Sequence, residues 1–294
     1  MSATARFTGR PHAGLPFLMR IMNMTSRLIH GPVDGFQFGY SPVQFIRPLP
    51  VWCYLVDGLL IDTAQRHRQR DVLTTFANRR IDQIVLTHFH EDHSGNANAL
   101  RQQHRCPVLA GALTARRVAN GFPLLPYEHF WFGSIDPCPG VLPLPERIST
   151  EHYQFTPIPT LGHCDDHHVL LEPNEGWLFA GDFYVGNLKV FRRGENIYQQ
   201  IEAARHILSL DFDILFCAHN PVLINGRKAV ARKKQYLEEL VDRVLVANQR
   251  GVSTTRLVQA VGLSESWSLR VCTSNDVAAA HLVHSILTDK PIVR

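Results

Sequence analysis

The stretch Thr87-His88-Phe89-His90-Glu91-Asp92-His93 places four metal-ligand side chains within six positions, directly after a short apolar run. The apolar run predicts a buried strand. Because side chains alternate along a strand, we expect His88 and His90 to point the same way as it ends. Asp92 and His93 then fall on the turn into the next helix. Imidazole and carboxylate together suit Zn²⁺ or a similar divalent ion, whereas a chance surface patch of histidines is the plainer alternative.

Three further motifs place one ligand-type residue just after a predicted strand. They are Gly162-His163, Ala180-Gly181-Asp182 and Cys217-Ala218-His219. Any one of them alone is more typical of a hydrogen-bonded loop residue. Proteins with alternating strands and helices collect their active sites at the carboxyl ends of strands, so the shared placement favours a common site.

The ordered set His88-x-His90-x-Asp92-His93, His163, Asp182 and His219 resembles the metallo-β-lactamase superfamily, in particular its two-metal, glyoxalase-II-like branch. The resemblance covers about Met24 to Ile224. It implies an α/β fold, an αββα sandwich of two mixed sheets flanked by helices. Asp62, in Leu60-Ile61-Asp62-Thr63, matches an acidic position of that family that supports the site without binding metal.

The resemblance also implies the ligand set and the reaction. One metal would be bound by His88, His90 and His163, the other by Asp92, His93 and His219, with Asp182 bridging. The cofactors would be two divalent ions, with Zn²⁺ expected and Fe²⁺ or Mn²⁺ as alternatives. Two such ions activate a shared water, so a metal-bound hydroxide would be the nucleophile. Asp92 would be the catalytic residue that steers the proton, and the substrate would be a small ester, thioester or lactone.

Two other functions stay open from the sequence. The first is a phosphodiesterase or endoribonuclease of the same fold, which a basic stretch and a helical tail favour. That stretch is either a solvated surface or an anion site; it comprises Arg227, Lys228, Arg232, Lys233 and Lys234. The mild net charge of +4 and the lack of base-stacking aromatics beside it make nucleic acid a weaker prediction. The second is a catalytically silent protein that senses a ligand.

Several neighbouring side chains have two interpretations. Cys164 and Cys217 adjoin predicted ligands, but the site is already filled, which favours small packing residues. Asp166 or His167 would orient a metal ligand or make a turn hydrogen bond. Aromatic residues in a predicted loop over 121–145 would line a substrate pocket or belong to the core; they are Tyr127, Phe130, Trp131 and Phe132.

The whole chain of 294 residues is 45% apolar, which is typical of a globular protein. No run of about 18 apolar residues predicts a membrane span. The six cysteines stand singly, which favours reduced thiols and a cytoplasmic location. We expect a loose leader over 1–22, a catalytic domain over 23–226 and a helical, winged-helix-like region over 227–294. The last would cap the site or form a dimer contact, and the partner would be a small-molecule substrate.

The pattern of apolar residues and turn residues predicts the elements around these motifs. Asp57-Gly58 predicts a type I′ hairpin between Val51 and Thr63. Strands are predicted at 83–87, 107–110, 153–158, 168–172, 177–180 and 213–217. Helices are predicted at 66–80, 96–104, 113–120, 197–209, 227–249, 253–261 and 276–287.

Overall fold

The computed structural model describes residues 6–8, 21–44, 46–186 and 188–290. The chain divides into two compact units, with the division between Pro157 and Ile158. No helix of the described ranges is both long and apolar enough to cross a membrane.

The first unit contains an eight-stranded sheet whose spatial order follows the chain order. Its strands are β1 Arg6–Thr8, β2 Met22–His30, β3 Val33–Ser41, β4 Leu49–Val56, β5 Leu59–Ile61, β6 Gln83–Leu86, β7 Val108–Ala110 and β8 Leu142–Pro143. Strands β1 to β5 are antiparallel, and β5 to β8 are parallel. Because β5 and β6 are parallel, Asp62 and His88 follow them at the same edge of the sheet.

Five α-helices of the first unit follow strands β5 to β7. They are α1 Gln69–Phe76, α2 Glu91–Ser94, α3 Ala97–His104, α4 Ala112–Asn120 and α5 Pro126–Phe132. The predicted helix over 66–80 is therefore shorter than expected: a 3₁₀ turn covers Arg66–Arg68, and α1 ends at Phe76. The hairpin prediction is confirmed, because β4 pairs with β5 and both Asp57 and Gly58 have the positive φ that a type I′ turn needs.

The predicted loop over 121–145 is wrong at its centre, where α5 lies. Pro126 occupies the first helical position, which tolerates proline because no hydrogen bond of its nitrogen is lost there. The Glu128 carboxylate accepts the backbone N–H of Leu125 and closes the helix start. Tyr127 and Trp131 are buried, as in the core interpretation of these aromatics, and Phe130 is exposed.

The second unit contains a sheet in which a strand at 214–217 lies beside one at 177–181, followed in space by strands at 168–172 and 154–159. Strand β10, Gln154–Pro159, continues from the first unit, where its first residues pair with β9, Ile148–Ser149. The others are β11 His168–Glu172, β12 Trp177–Gly181 and β14 Ile214–Cys217. Strands β12 and β14 are parallel, so the residues after them, Asp182 and His219, lie at one edge.

Helices complete the second unit: α6 Ile197–Leu208, α7 Gly226–Gln249, α8 Thr254–Ala260, α9 Trp267–Cys272 and α10 Ala279–Thr288. Strand β13, Phe191–Arg192, pairs with β15, Val277–Ala278. An apolar core joins Ile197 and Ile201 of α6 to Leu237 of α7 and Leu282 of α10. Helix α9 was not predicted.

These elements confirm a mixed α/β fold with two mixed sheets flanked by helices and a helical C-terminal region. The predicted leader over 1–22 lies outside the described residues, except for Arg6–Thr8, Ile21 and Met22. The boundaries of the predicted catalytic domain, 23–226, and of the helical region, 227–294, stay a prediction.

Candidate metal centre

The first unit brings together the four ligand-type side chains that follow β6. His88, His90 and His93 are buried, and Asp92 is partly exposed. Nε2 of His88 lies 2.9 Å from Nδ1 of His90. Oδ1 of Asp92 lies 3.8 Å from Nε2 of His93. The stretch that the sequence singled out therefore forms one compact group of donors.

Asp62 holds residues of this donor group in place through hydrogen bonds, as the resemblance implies. Its buried carboxylate lies 2.8 Å from Nδ1 of His93 and accepts the backbone N–H of Thr87 at 2.9 Å. The Thr87 hydroxyl donates to Asp62 and lies 3.0 Å from Nδ1 of His88, which then donates to it. With both Nδ1 atoms carrying hydrogen, Nε2 of His88 and of His93 is the ring nitrogen whose lone pair could bind a cation.

A hydrogen-bonded clamp that the sequence analysis missed fixes the turn behind His93. The backbone N–H and hydroxyl of Thr63 both donate to the carbonyl of His93 at 2.7 Å. The side-chain amide of Asn96 donates to the carbonyls of Thr63, Ala64 and Gln65 at 2.8 to 3.0 Å. No local pattern marks Asn96, which reads as an ordinary residue at a helix start.

The second unit brings the other three ligand-type residues together. Asp182 follows β12, and its two oxygens face different imidazoles. Oδ2 lies 3.5 Å from Nε2 of His163, and Oδ1 lies 3.1 Å from Nε2 of His219. One carboxylate thus lies between two histidines, each of which it meets with a separate oxygen.

His167 combines the two roles that the sequence left open. It is fully buried, Nδ1 lies 2.7 Å from the Thr160 hydroxyl, and Nε2 accepts the backbone N–H of Asp182 at 3.0 Å. Because Nε2 accepts, Nδ1 must carry the hydrogen and the ring is neutral. His167 therefore makes a turn hydrogen bond that also holds the Asp182 backbone.

The cysteines beside the donors are poor candidates for ligands. Neither Cys164 nor Cys217 belongs to a donor group of the described residues, and burial raises the pKa of both thiols to about 12. Sγ of Cys217 accepts the backbone N–H groups of His219 and Asn220 at 3.4 and 3.3 Å. Cys217 thereby shapes the turn that presents His219, in line with a structural role.

The basic stretch on α7 offers fewer exposed cations for binding an anion than a fully solvated surface would. Lys233 is fully buried, so a surface position is wrong for this residue. Arg227 donates to the carbonyls of Leu208 and Leu210, and Lys234 lies 2.8 Å from Glu238. Several of these cations are thus engaged within the second unit.

Both donor groups suit a divalent metal ion by their chemistry. The donors are imidazole nitrogens and carboxylate oxygens, which bind zinc and related borderline cations. Zinc bonds of 2.0–2.1 Å in a tetrahedron place two ligand atoms about 3.3 Å apart. The observed separations of 2.9, 3.1 and 3.5 Å lie close to that spacing.

Comparison with known proteins gives a family match and distant relatives. The family model described as "Metallo-beta-lactamase superfamily" matches residues 46–219. An atrochrysone carboxyl ACP thioesterase of Aspergillus fumigatus is 27% identical over 197 residues, covering 66% of this chain and 56% of that protein. A hydroxyacylglutathione hydrolase of Bdellovibrio bacteriovorus is 26% identical over 138 residues, covering 46% and 48%.

A solved structure shows the same fold. The crystal structure of a beta-lactamase domain protein from Burkholderia ambifaria superposes with a TM-score of 0.60 at 15% identity. The superposition covers 94% of this chain and 89% of that one. By contrast, the chain spans about half the length of the curated relatives it matches.

Proposed function

The chain belongs to the metallo-beta-lactamase superfamily, and from this premise we propose that it is a binuclear metal-dependent hydrolase of a small ester, thioester or lactone. A thioester stands first in this proposal because one relative is named a thioesterase and another a hydrolase of hydroxyacylglutathione. The proposed partner is a small-molecule substrate, the proposed location is the cytoplasm, and the proposed catalytic domain covers residues 23–226.

The proposed ligand set contains the seven residues that the family resemblance implies. One ion would be bound by His88, His90 and His163, the other by Asp92, His93 and His219, and Asp182 would bridge them. The observation that carries the proposal is the position of Asp182, which directs one oxygen to His163 and the other to His219. A carboxylate arranged in this way suits a bridging ligand.

Residues of the chain itself would have the remaining roles in proton transfer and in orienting the metal ligands. Divalent ions held here would supply an activated water and polarise the substrate carbonyl. Asp92 is the proposed catalytic residue, which would steer the proton and the nucleophile during hydrolysis. Asp62 and Thr87 keep the imidazoles of His93 and His88 in the tautomer that binds a cation.

Metal analysis and a substrate panel on one preparation test the proposal. We expect about two equivalents of divalent metal per chain, and hydrolysis of an acyl thioester, an aryl ester or a lactone that chelation abolishes and Zn²⁺ restores. Cleavage of phosphodiesters with none of the acyl substrates would move the function to the phosphodiesterase alternative. Full activity of metal-free protein would contradict the mechanism, and a wholly inactive metal-loaded protein would favour a ligand sensor.

A further inference from the structure

A buried carboxylate outside the proposed ligand set faces His163. Glu195 lies in the turn between β13 and α6, and its Oε1 is 3.5 Å from Nδ1 of His163. Its other oxygen accepts the side-chain amide of Gln200 at 2.8 Å, and Oε1 also accepts the backbone N–H of Arg192 at 3.2 Å. The carboxylate is therefore fixed on two sides before it meets the imidazole.

The same segment holds the backbone next to His163. The N–H of Asn196 donates to the carbonyl of Gly162 at 2.8 Å. Gly162 has a φ of +114°, and a Cβ there would come within 2.5 Å of the backbone nitrogen of Gln200. The start of α6 and the Gly162-His163 turn are thus in close contact, which brings Glu195 next to His163.

A buried lysine, Lys233, contacts the residue that follows the proposed ligand Asp182. Lys233 of α7 is fully buried, and its ammonium group donates to the carbonyl of Phe183, the residue after Asp182. It also lies 5.2 Å from the centre of the Phe183 ring. Burial lowers the pKa of Lys233 to about 8, and Glu195 is the charged group that opposes this shift most strongly.

Burial of both charges needs an explanation other than stability. Removing two charges from water is unfavourable, and proteins with apolar side chains of similar volume in their place are often at least as stable. Glu195 instead faces the side chain of His163, a proposed ligand, and Lys233 contacts Phe183, the residue after the proposed ligand Asp182. A carboxylate on the Nδ1–H of a ligand histidine fixes the ring and its tautomer and leaves Nε2 for the metal.

We propose that Glu195 and Lys233 are positioning residues of the metal centre: Glu195 orients the imidazole of His163, and Lys233 holds the carbonyl of Phe183 and thereby the segment that directly follows Asp182. This inference rests on the proposed function, since it assigns these two residues to the same site. Neither residue would touch substrate. Their effect would be on the affinity and geometry of metal binding.

The test uses the full chain with Co²⁺ as the probe metal. Affinity is measured by competition with a chromogenic chelator, geometry by the visible Co²⁺ spectrum, and fold by the melting temperature. We expect Glu195→Gln and Lys233→Met to weaken Co²⁺ binding about 10–100-fold and to change the spectrum. Glu195→Asp, which keeps the charge, should recover part of the affinity.

Matched control variants distinguish a positioning role at the metal centre from the general effect of removing a charged side chain. Glu172 is also buried but accepts the backbone N–H of Glu175 in a turn, and Lys234 lies next to Lys233 on α7 with Glu238 as its partner. Glu172→Gln and Lys234→Met should leave the Co²⁺ affinity and spectrum unchanged.

The outcomes distinguish this inference from the proposed function. If the unsubstituted protein binds Co²⁺ and folded Glu195→Gln binds it with the same affinity and spectrum, the inference is wrong and the proposed function stands. If the unsubstituted protein binds no divalent metal, both are wrong. Should Lys233→Met not fold, the comparison of Glu195→Gln with Glu195→Asp decides.

Discussion

The backbone N–H of Asp182 donates to Nε2 of His167 at 3.0 Å, so a buried neutral imidazole fixes the peptide of the proposed bridging carboxylate. Thr160 in turn fixes the ring of His167 through Nδ1 at 2.7 Å. Because β10 ends at Pro159 and β12 ends at Gly181, this pair of hydrogen bonds connects the ends of two strands. The position of Asp182 therefore depends on a residue that is not itself a proposed ligand.

Replacement of His167 by leucine should weaken metal binding and stability together. It leaves the buried N–H of Asp182 without an acceptor, which costs about 1–3 kcal/mol of folding free energy. Denaturant unfolding and chelator competition measure the two effects. His167→Gln keeps an acceptor and should recover part of both. Metal affinity of His167→Leu equal to that of the unsubstituted protein would contradict the positioning role.

Replacement of Asp182 by alanine should lower hydrolysis by orders of magnitude while the fold persists. The carboxylate lies between His163 and His219, so its loss removes the proposed bridge but little apolar packing. Hydrolysis rate, metal content and circular dichroism are the measurements. Asp213→Ala, at an exposed position before β14, is the control. Normal turnover by Asp182→Ala would show that the bridge is assigned to the wrong residue.

Much of the first unit's donor group could be predicted because its residues are local in sequence. His88, His90 and His93 lie within six consecutive residues after β6, so a local motif marks all three, although His88 and His90 lie beyond the strand, which ends at Leu86. The placement of Asp62 beside them needs the parallel pairing of β5 with β6, a long-range contact that only the family resemblance supplied.

The residues that support the donors could not be predicted for a related physical reason. Whether a charged side chain is buried depends on which elements pack against its helix or turn. That packing is not visible in a local sequence pattern. Lys233 lies in a run of cations that is typical of a solvated surface, yet it is buried. Glu195 and Asn196 read as ordinary turn residues. Helix α5 was missed because proline and aromatics dominate the segment, although Pro126 marks its first turn.

Replacement of Gly162 by alanine should destabilise the protein more than the same change at Gly194. Both glycines have positive φ, so alanine is strained at each. Only at Gly162 would the new Cβ meet backbone atoms, whereas nothing lies within 4 Å at Gly194. Overpacking typically adds about 1–3 kcal/mol. Thermal unfolding of both variants measures the difference, and equal losses would contradict the close contact between Gly162 and α6.

The exposed thiol of Cys272 should be alkylated faster than the buried thiol of Cys106. Burial raises the pKa of Cys106 to about 11, so only a small fraction of this thiol is thiolate at pH 8. As the pH rises toward the pKa, the thiolate fraction increases about tenfold per pH unit. We expect iodoacetamide at pH 8 to modify Cys272 first and Cys106 slowly, with faster modification of Cys106 at pH 9 and 10. Mass spectrometry of digested protein measures both. Equal rates at pH 8 would contradict the burial of Cys106.

The basic stretch on α7 should give only weak, salt-sensitive binding of single-stranded RNA. Lys233 is buried, Arg227 binds backbone carbonyls and Lys234 pairs with Glu238, which leaves Lys228 and Arg232 as the exposed cations of this stretch without such an engagement. Two phosphate contacts on a single strand correspond to a slope of about −1.4 in log affinity against log salt.

Fluorescence anisotropy with a labelled single-stranded RNA at several salt concentrations measures that slope. The double variant Lys228→Ala/Arg232→Ala should flatten it and leave thioester hydrolysis unchanged, because neither residue belongs to the proposed metal centre. A much steeper slope, together with RNA cleavage that the double variant loses, would instead support the phosphodiesterase alternative. The reason is that a nuclease must hold several phosphates to position one of them for cleavage.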